Sequence, residues 1–231
     1  MPKSLVPERL GGAFLIVYAL LSLIAIAHHP QVTVKTATQA IFEQIAALAG
    51  PDEFMHGTMI VLLLLLAFGF VVLSRARGAG RPAVIAASLC VAVGVAAPIA
   101  AALVDGFWTP WFAARAAEEP NQVAIGTQLL VGAGIFIQVA TKLGFVAIGM
   151  AIAMYSLDLI LERRAMILGI YGMVAAAAVI IMLSTIAIRL TPQTLLLPMA
   201  LQTIWLVIAG ALLANGKLTD RDRPSGLQTH A

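Results

Sequence analysis

Residues 56–77 read HGTMIVLLLLLAFGFVVLSRAR. From Gly57 to Leu73 no side chain carries a charge. A bilayer-crossing helix needs about 20 mainly apolar residues, and this run reaches that length with a turn from either flank. It does not alternate as a barrel strand must. In lipid each amide has to be satisfied within its own segment, so the run reads as a helix. His56 opens it and Arg75 and Arg77 close it, which gives the span two chemically different ends.

Working outward, the same pattern recurs. The six spans predicted are 11–28, 55–74, 83–105, 128–155, 166–188 and 195–214, forming one transmembrane domain over 1–214. Residues 215–231 are a polar tail containing Pro224 and Gly226, expected to be flexible. Of the 231 residues 61% are apolar and 11% charged, against about 25% charged in a soluble domain. Such a chain cannot clothe a soluble fold, and disorder needs the opposite composition. The fold class is therefore an all-α integral membrane protein, a bundle of six transmembrane helices.

Lys and Arg near the span ends set the orientation. Lys3, Arg9, Arg75, Arg77, Arg81, Arg163, Arg164, Lys217, Arg221 and Arg223 fall on one side, and Lys35, Arg115 and Arg189 on the other. The bias alternates correctly across all six spans and places both termini in the cytoplasm. The expected location is the cytoplasmic membrane of a bacterial cell. The opposite loops carry Glu43, Asp52, Glu53, Asp105, Glu118 and Glu119. The net charge of +3 is thus a topology signal, and no basic stripe with interleaved aromatics points to nucleic acid. Ala25-Ile26-Ala27 resembles a signal-peptide cleavage site, but the apolar run before it is at the long end for a signal. We expect it to be kept as the first span.

Two outer loops are long. Residues 30–50 contain a helical pattern, with Ile41, Ile45 and Leu48 on one face, and predict a short amphipathic helix. Residues 105–123 hold Phe107, Trp108, Trp111 and Phe112 around Pro110 and read as a loop of interfacial aromatics. Within the spans Gly132, Gly134, Gly144, Gly149, Gly169 and Gly172 allow close helix packing. Pro98 and Pro198 are candidate kinks.

Three of the four histidines fall at one membrane face. His28 and His29 end the first span, and His56 opens the second. Asp52 precedes His56 by four residues and shares its helix face. Asp105 ends the third span on the same side. Two or three imidazoles with a carboxylate suit a transition metal, copper or zinc among them, or haem held from two helices. The metal-site candidates are His28, His29, His56 and Asp105. Asp52 is an outer partner able to orient an imidazole. Met55 and Met59 flank His56, and thioethers favour cuprous copper. The alternative is that these histidines are ordinary polar caps.

A second feature is Lys142, in the fourth span. Gln128, Gln138 and Lys142 fall on one face with Thr141 beside them, a polar stripe expected to face the bundle interior. Ser184, Thr185, Gln202 and Thr203 are its candidate partners. A charge in mid-span marks a functional hypothesis, such as anion attraction or proton movement. Cys90 excludes a disulfide framework and reads as an inert apolar residue. No P-loop, dinucleotide-binding, kinase or G-x-S-x-G motif is present, and Gly132-x-Gly134 lacks the strand–turn–helix context. Three functions follow. The first is a metal- or haem-binding membrane protein for redox chemistry or metal handling. The second is a small transporter or channel lined by the Lys142 stripe. The third is an accessory subunit packed against partner membrane subunits or its own copies.

Overall fold

A computed structural model describes residues 5–29, 38–119, 123–185 and 190–219. Lys3, Lys35, Arg189, Arg221, Arg223 and His230 lie outside the described residues, as does the side chain of Thr185.

The described residues are helical. In chain order the α-helices are α1 (Val6–Ala27), α2 (Thr38–Ala47), α3 (Ala49–Arg77), α4 (Pro82–Leu103), α5 (Thr109–Glu118), α6 (Val123–Leu161), α7 (Met166–Thr185) and α8 (Pro192–Ala214). One turn of π-helix, Val104–Trp108, joins α4 to α5 without a break. Six helical stretches are long and apolar enough to cross a membrane, with α4, the π turn and α5 forming one of them. The apolar faces of these spans remain open, as a lipid-facing surface requires. Val61, Leu64, Phe68 and Val71 of α3 are all exposed.

The short helix expected in the first long loop is α2. The second loop differs from expectation, because residues 109–118 are helix and not a loop. Pro110 sits in the first turn of α5, where its missing N–H costs nothing. Phe42 of α2 packs with Phe112, Ala113 and Ala116 of α5, and Gln39 Nε2 donates to Ala117 O at 2.9 Å. The aromatic segment therefore divides. Phe112 enters this small core, while Trp111 stays exposed with Arg115 over its ring at 5.4 Å.

Packing joins the spans as antiparallel neighbours. Thr203 Oγ1 of α8 donates to Ala19 O of α1 at 3.2 Å. Between α6 and α4 the approach is closer. A Cβ on Gly144 would stand 2.2 Å from Pro98 Cγ, so the bulk of Pro98 is accepted only because Gly144 has no side chain. Gly144→Val is expected to force α4 from α6 and to cost about 1–3 kcal/mol as overpacking. A lowered thermal midpoint in detergent would register it, and an unchanged midpoint would contradict this packing.

The inner layer is aromatic. Tyr155 stacks on Phe70 with centroids 5.4 Å apart, and Trp205 covers both. Their polar atoms are satisfied locally. Tyr155 OH lies 2.6 Å from Ser74 Oγ, and Trp205 Nε1 donates to Ser156 Oγ at 3.0 Å. In an apolar medium such pairs help hold helices together.

Below this layer lies a charge network that the sequence reading did not anticipate. Arg77, 1% exposed, grips Asp158, 3% exposed. Its Nε donates to Asp158 Oδ2 at 2.7 Å. Arg81 Nη1 reaches Asp158 Oδ1 at 2.9 Å and also pairs with Glu162. Closing the fourth span at 155 left Asp158 outside the helix, whereas α6 continues to Leu161. Arg77 also donates to Leu218 O at 3.3 Å, and Arg164 to Thr219 O at 2.8 Å. The first residues of the tail are thus fixed beneath the bundle, with Leu218 buried.

Candidate metal centre

The end of the bundle away from this network gathers three chain segments. His29 follows the end of α1, His56 lies in the second turn of α3, and Asp105 stands in the π turn. At about 1.5 Å per residue, His56 stands about 31 Å along α3 from Arg77, close to the hydrocarbon thickness of about 30 Å. The histidine end and the arginine network therefore stand about one hydrocarbon thickness apart.

His56 is the centre of the group and is 6% exposed. Its Nδ1 lies 2.9 Å from the main-chain oxygen of Asp52, one turn earlier. A carbonyl oxygen only accepts, so Nδ1 carries the proton and Nε2 of the neutral ring carries the lone pair. That Nε2 lies 3.3 Å from His29 Nε2 and 3.2 Å from Asp105 Oδ2. The two rings meet edge to face, with centroids 5.0 Å apart and planes at 87°. Asp52 Oδ1 is 4.0 Å from His56 Nδ1. It is buried with no hydrogen-bond partner among the described residues. One donor atom each from His29, Asp52 and His56 lies within 4.8 Å of the others.

Local sequence explains the arrangement. Pro51-Asp52 occupies the opening turns of α3 and sets the Asp52 carbonyl one turn before His56. The π turn, a form found often at functional sites, carries Asp105 toward the His56 ring. Gly106 makes room for that ring, since a Cβ there would stand 2.3 Å from His56 Cβ and 2.7 Å from Nδ1.

Compared with known protein families, curated proteins and solved structures, the chain matches none. The site has to be read from its own geometry.

Of the residues singled out in the sequence, His29, His56, Asp52 and Asp105 come together. His28 does not join them. It caps α1, is exposed, and donates Nδ1 to Ile24 O at 2.9 Å. Met59 is half-buried one turn further along α3. The polar stripe of α6 behaves differently from expectation. Gln128 is exposed, and Thr141 and Lys142 are half-buried. Gln138 brackets Leu190, donating to its carbonyl at 2.9 Å and accepting from its N–H at 2.6 Å. The partners expected for Lys142 are occupied elsewhere. Gln202 donates to Phe145 O and Thr203 to Ala19 O, while Ser184 is exposed. Of the stripe, Gln138 is thus spent on the connection before α8, while Gln202 ties α8 back to α6. The residue the sequence reading missed is Gly106. Its signal was its place beside Asp105, which means little until α3 is known to lie against the π turn.

Proposed function

We propose that this polytopic membrane protein binds a divalent transition-metal ion at the histidine end of its bundle, for metal handling or redox work. His29 Nε2, His56 Nε2 and Asp105 Oδ2 would ligate it, with the Asp52 carboxylate beside them. One observation carries this reading. Nε2 of the buried His56 ring lies 3.3 Å from His29 Nε2 and 3.2 Å from Asp105 Oδ2, so three atoms able to ligate a metal from three chain segments meet at one point.

The two separations from His56 suit neighbouring ligands of a tetrahedral ion. Bonds of about 2.0–2.1 Å at tetrahedral angles set neighbouring donors about 3.3 Å apart. The hydrogen bond from Nδ1 to a carbonyl is the outer support that ligating histidines commonly have. A donor set of imidazole and carboxylate without thiolate suits zinc, and a two-histidine, one-carboxylate set with an open position also suits ferrous iron. Copper would draw further support from the Met59 thioether. Haem fits less well, because its macrocycle would have to enter between two nitrogens 3.3 Å apart on perpendicular rings. The excess of Lys and Arg at the opposite end supports an ion held on the outer face with both termini inside.

The test is metal binding by the detergent-purified full chain after chelator treatment. Zn²⁺ and Co²⁺ are expected to bind at one ion per chain, with Co²⁺ giving the visible bands of a tetrahedral site. His29→Ala should lose this binding and His28→Ala should keep it. A wild-type chain that takes up neither ion, or a His29→Ala chain that binds as well as wild type, overturns the reading.

A further inference from the structure

A cleft of about 230 Å³ opens between α5 and α6. Trp111, Arg115 and Glu119 line one wall, and Ile125 and Leu129 the other. Both walls follow from spacing. Residues four apart share a helix face, so the first three stand in one row along α5 and the last two in one row along α6. Gly144 sits at Pro98 and Gly94 at Ile148. That antiparallel register, continued, sets Asp105 level with Ile137. Leu129 and Ile125 lie about 12 and 18 Å beyond that level at 1.5 Å per residue. The cleft therefore stands on the far side of the metal site from the arginine network.

Its charges are arranged unusually. Glu118 and Glu119 follow Arg115 by three and four residues, the spacing at which ion pairs form on a helix. Among the described residues Arg115 forms no ion pair with either. Its guanidinium lies over the Trp111 ring instead, 5.4 Å from the centroid. That contact leaves its N–H donors for a planar anion. The facing wall is aliphatic, with Ile125 65% and Leu129 46% exposed.

The lining selects among occupants. A wholly apolar occupant would take water from a guanidinium and a carboxylate and give them nothing in return. A simple anion would suit Arg115 but meet Glu119, and a simple cation would do the reverse. A molecule carrying both charges and a short apolar body suits every wall.

We propose that the cleft binds a free amino acid with an aliphatic side chain. Its carboxylate lies on the Arg115 fork and its ammonium on Glu119, whose carboxylate can accept several hydrogen bonds. Its side chain lies against Ile125 and Leu129. Size agrees with this class. At about 30 Å³ for each water in the liquid, the cleft holds roughly eight non-hydrogen atoms, close to leucine and far short of a phospholipid.

Equilibrium dialysis of the full chain in phosphatidylglycerol nanodiscs against radiolabelled L-leucine tests this. One leucine per chain is expected to bind. Isocaproate lacks the ammonium and isoamylamine lacks the carboxylate. Each should compete at least about tenfold more weakly than unlabelled leucine, since each leaves one charge of the cleft without its partner. Arg115→Gln and Glu119→Gln should lower leucine binding by a similar factor, with an unchanged thermal midpoint showing that they fold. No leucine binding, equal competition by either analogue, or full binding by a folded Arg115→Gln chain overturns the proposal. The analogue comparison uses the wild-type chain and does not depend on how the variants fold. Leucine binding lost when phosphatidylethanolamine replaces phosphatidylglycerol gives the cleft to a lipid headgroup and also overturns it. The dialysis reads no metal, so this proposal and the metal centre fail separately.

Discussion

His56→Ala is expected to lower metal affinity at least about 100-fold, since losing even an outer partner of a ligand costs about 10–100-fold. The effect should be the largest of any single substitution at this end of the bundle. His56 is the one residue whose ring touches both other donors, 3.3 Å from His29 and 3.2 Å from Asp105. Its removal therefore takes a ligand and the geometric link between the others. A companion variant separates position from chemistry. Gly106→Ala keeps every donor but places a methyl group within van der Waals overlap of the His56 ring. It should weaken binding by roughly tenfold or more through misplacement alone. Competition titration with a chelator of known affinity measures both. Wild-type affinity in His56→Ala would sink the proposed ligand set. Wild-type affinity in Gly106→Ala would show that the π turn yields without moving the imidazole.

Asp158→Ala should be the most destabilising substitution at the opposite end. It leaves Arg77, 1% exposed, without its carboxylate, and removes one of the two acidic partners of Arg81. Breaking a buried pair from one side costs about 3–5 kcal/mol, a large share of the roughly 5–15 kcal/mol that holds a domain folded. The double variant Arg77→Met with Asp158→Leu should recover much of the loss, because apolar residues of similar volume replace a buried pair at little cost. Thermal midpoints of the detergent-solubilised variants give the comparison. A single variant within about 1 kcal/mol of wild type would mean that water or lipid headgroups already screen the pair.

The contrast between the two ends shows what a sequence can and cannot convey here. The six helices were legible because lipid leaves a backbone so few choices, and a run such as residues 57–73 has one reading. Helix ends were less legible. The sequence reading ends the fourth span at 155, short of Asp158, and only the folded chain supplies Arg77 and Arg81 to neutralise that acid. Residues 105–123 read as a loop around Pro110, although a proline in a first turn is as compatible with helix. The grouping of histidines with acids was visible as a shared depth, whereas their distances depend on how α1, α3 and the π turn pack. His28 and His29 were indistinguishable as neighbours. The last turn of α1 separates them, since His28 folds back on Ile24 O and His29 is carried on past the helix end. Lys142 shows the opposite error. Its stripe was real as a pattern, but the carbonyls of Phe145 and Ala19 took up Gln202 and Thr203, two of the side chains expected to partner it.

The π turn at Val104–Trp108 amounts to one surplus residue wound into an otherwise continuous rod. Because the turn takes up that residue within itself, the two halves of the rod keep the phase of a single α-helix. Below it Gly94 and Pro98 meet α6, and above it Ala113 and Ala116 meet Phe42. Winding the same residues as uniform α-helix would rotate everything beyond this point by about 100° and turn Ala113 and Ala116 away from Phe42. The wider turn is therefore what lets one rod serve both the membrane bundle and the structure above it.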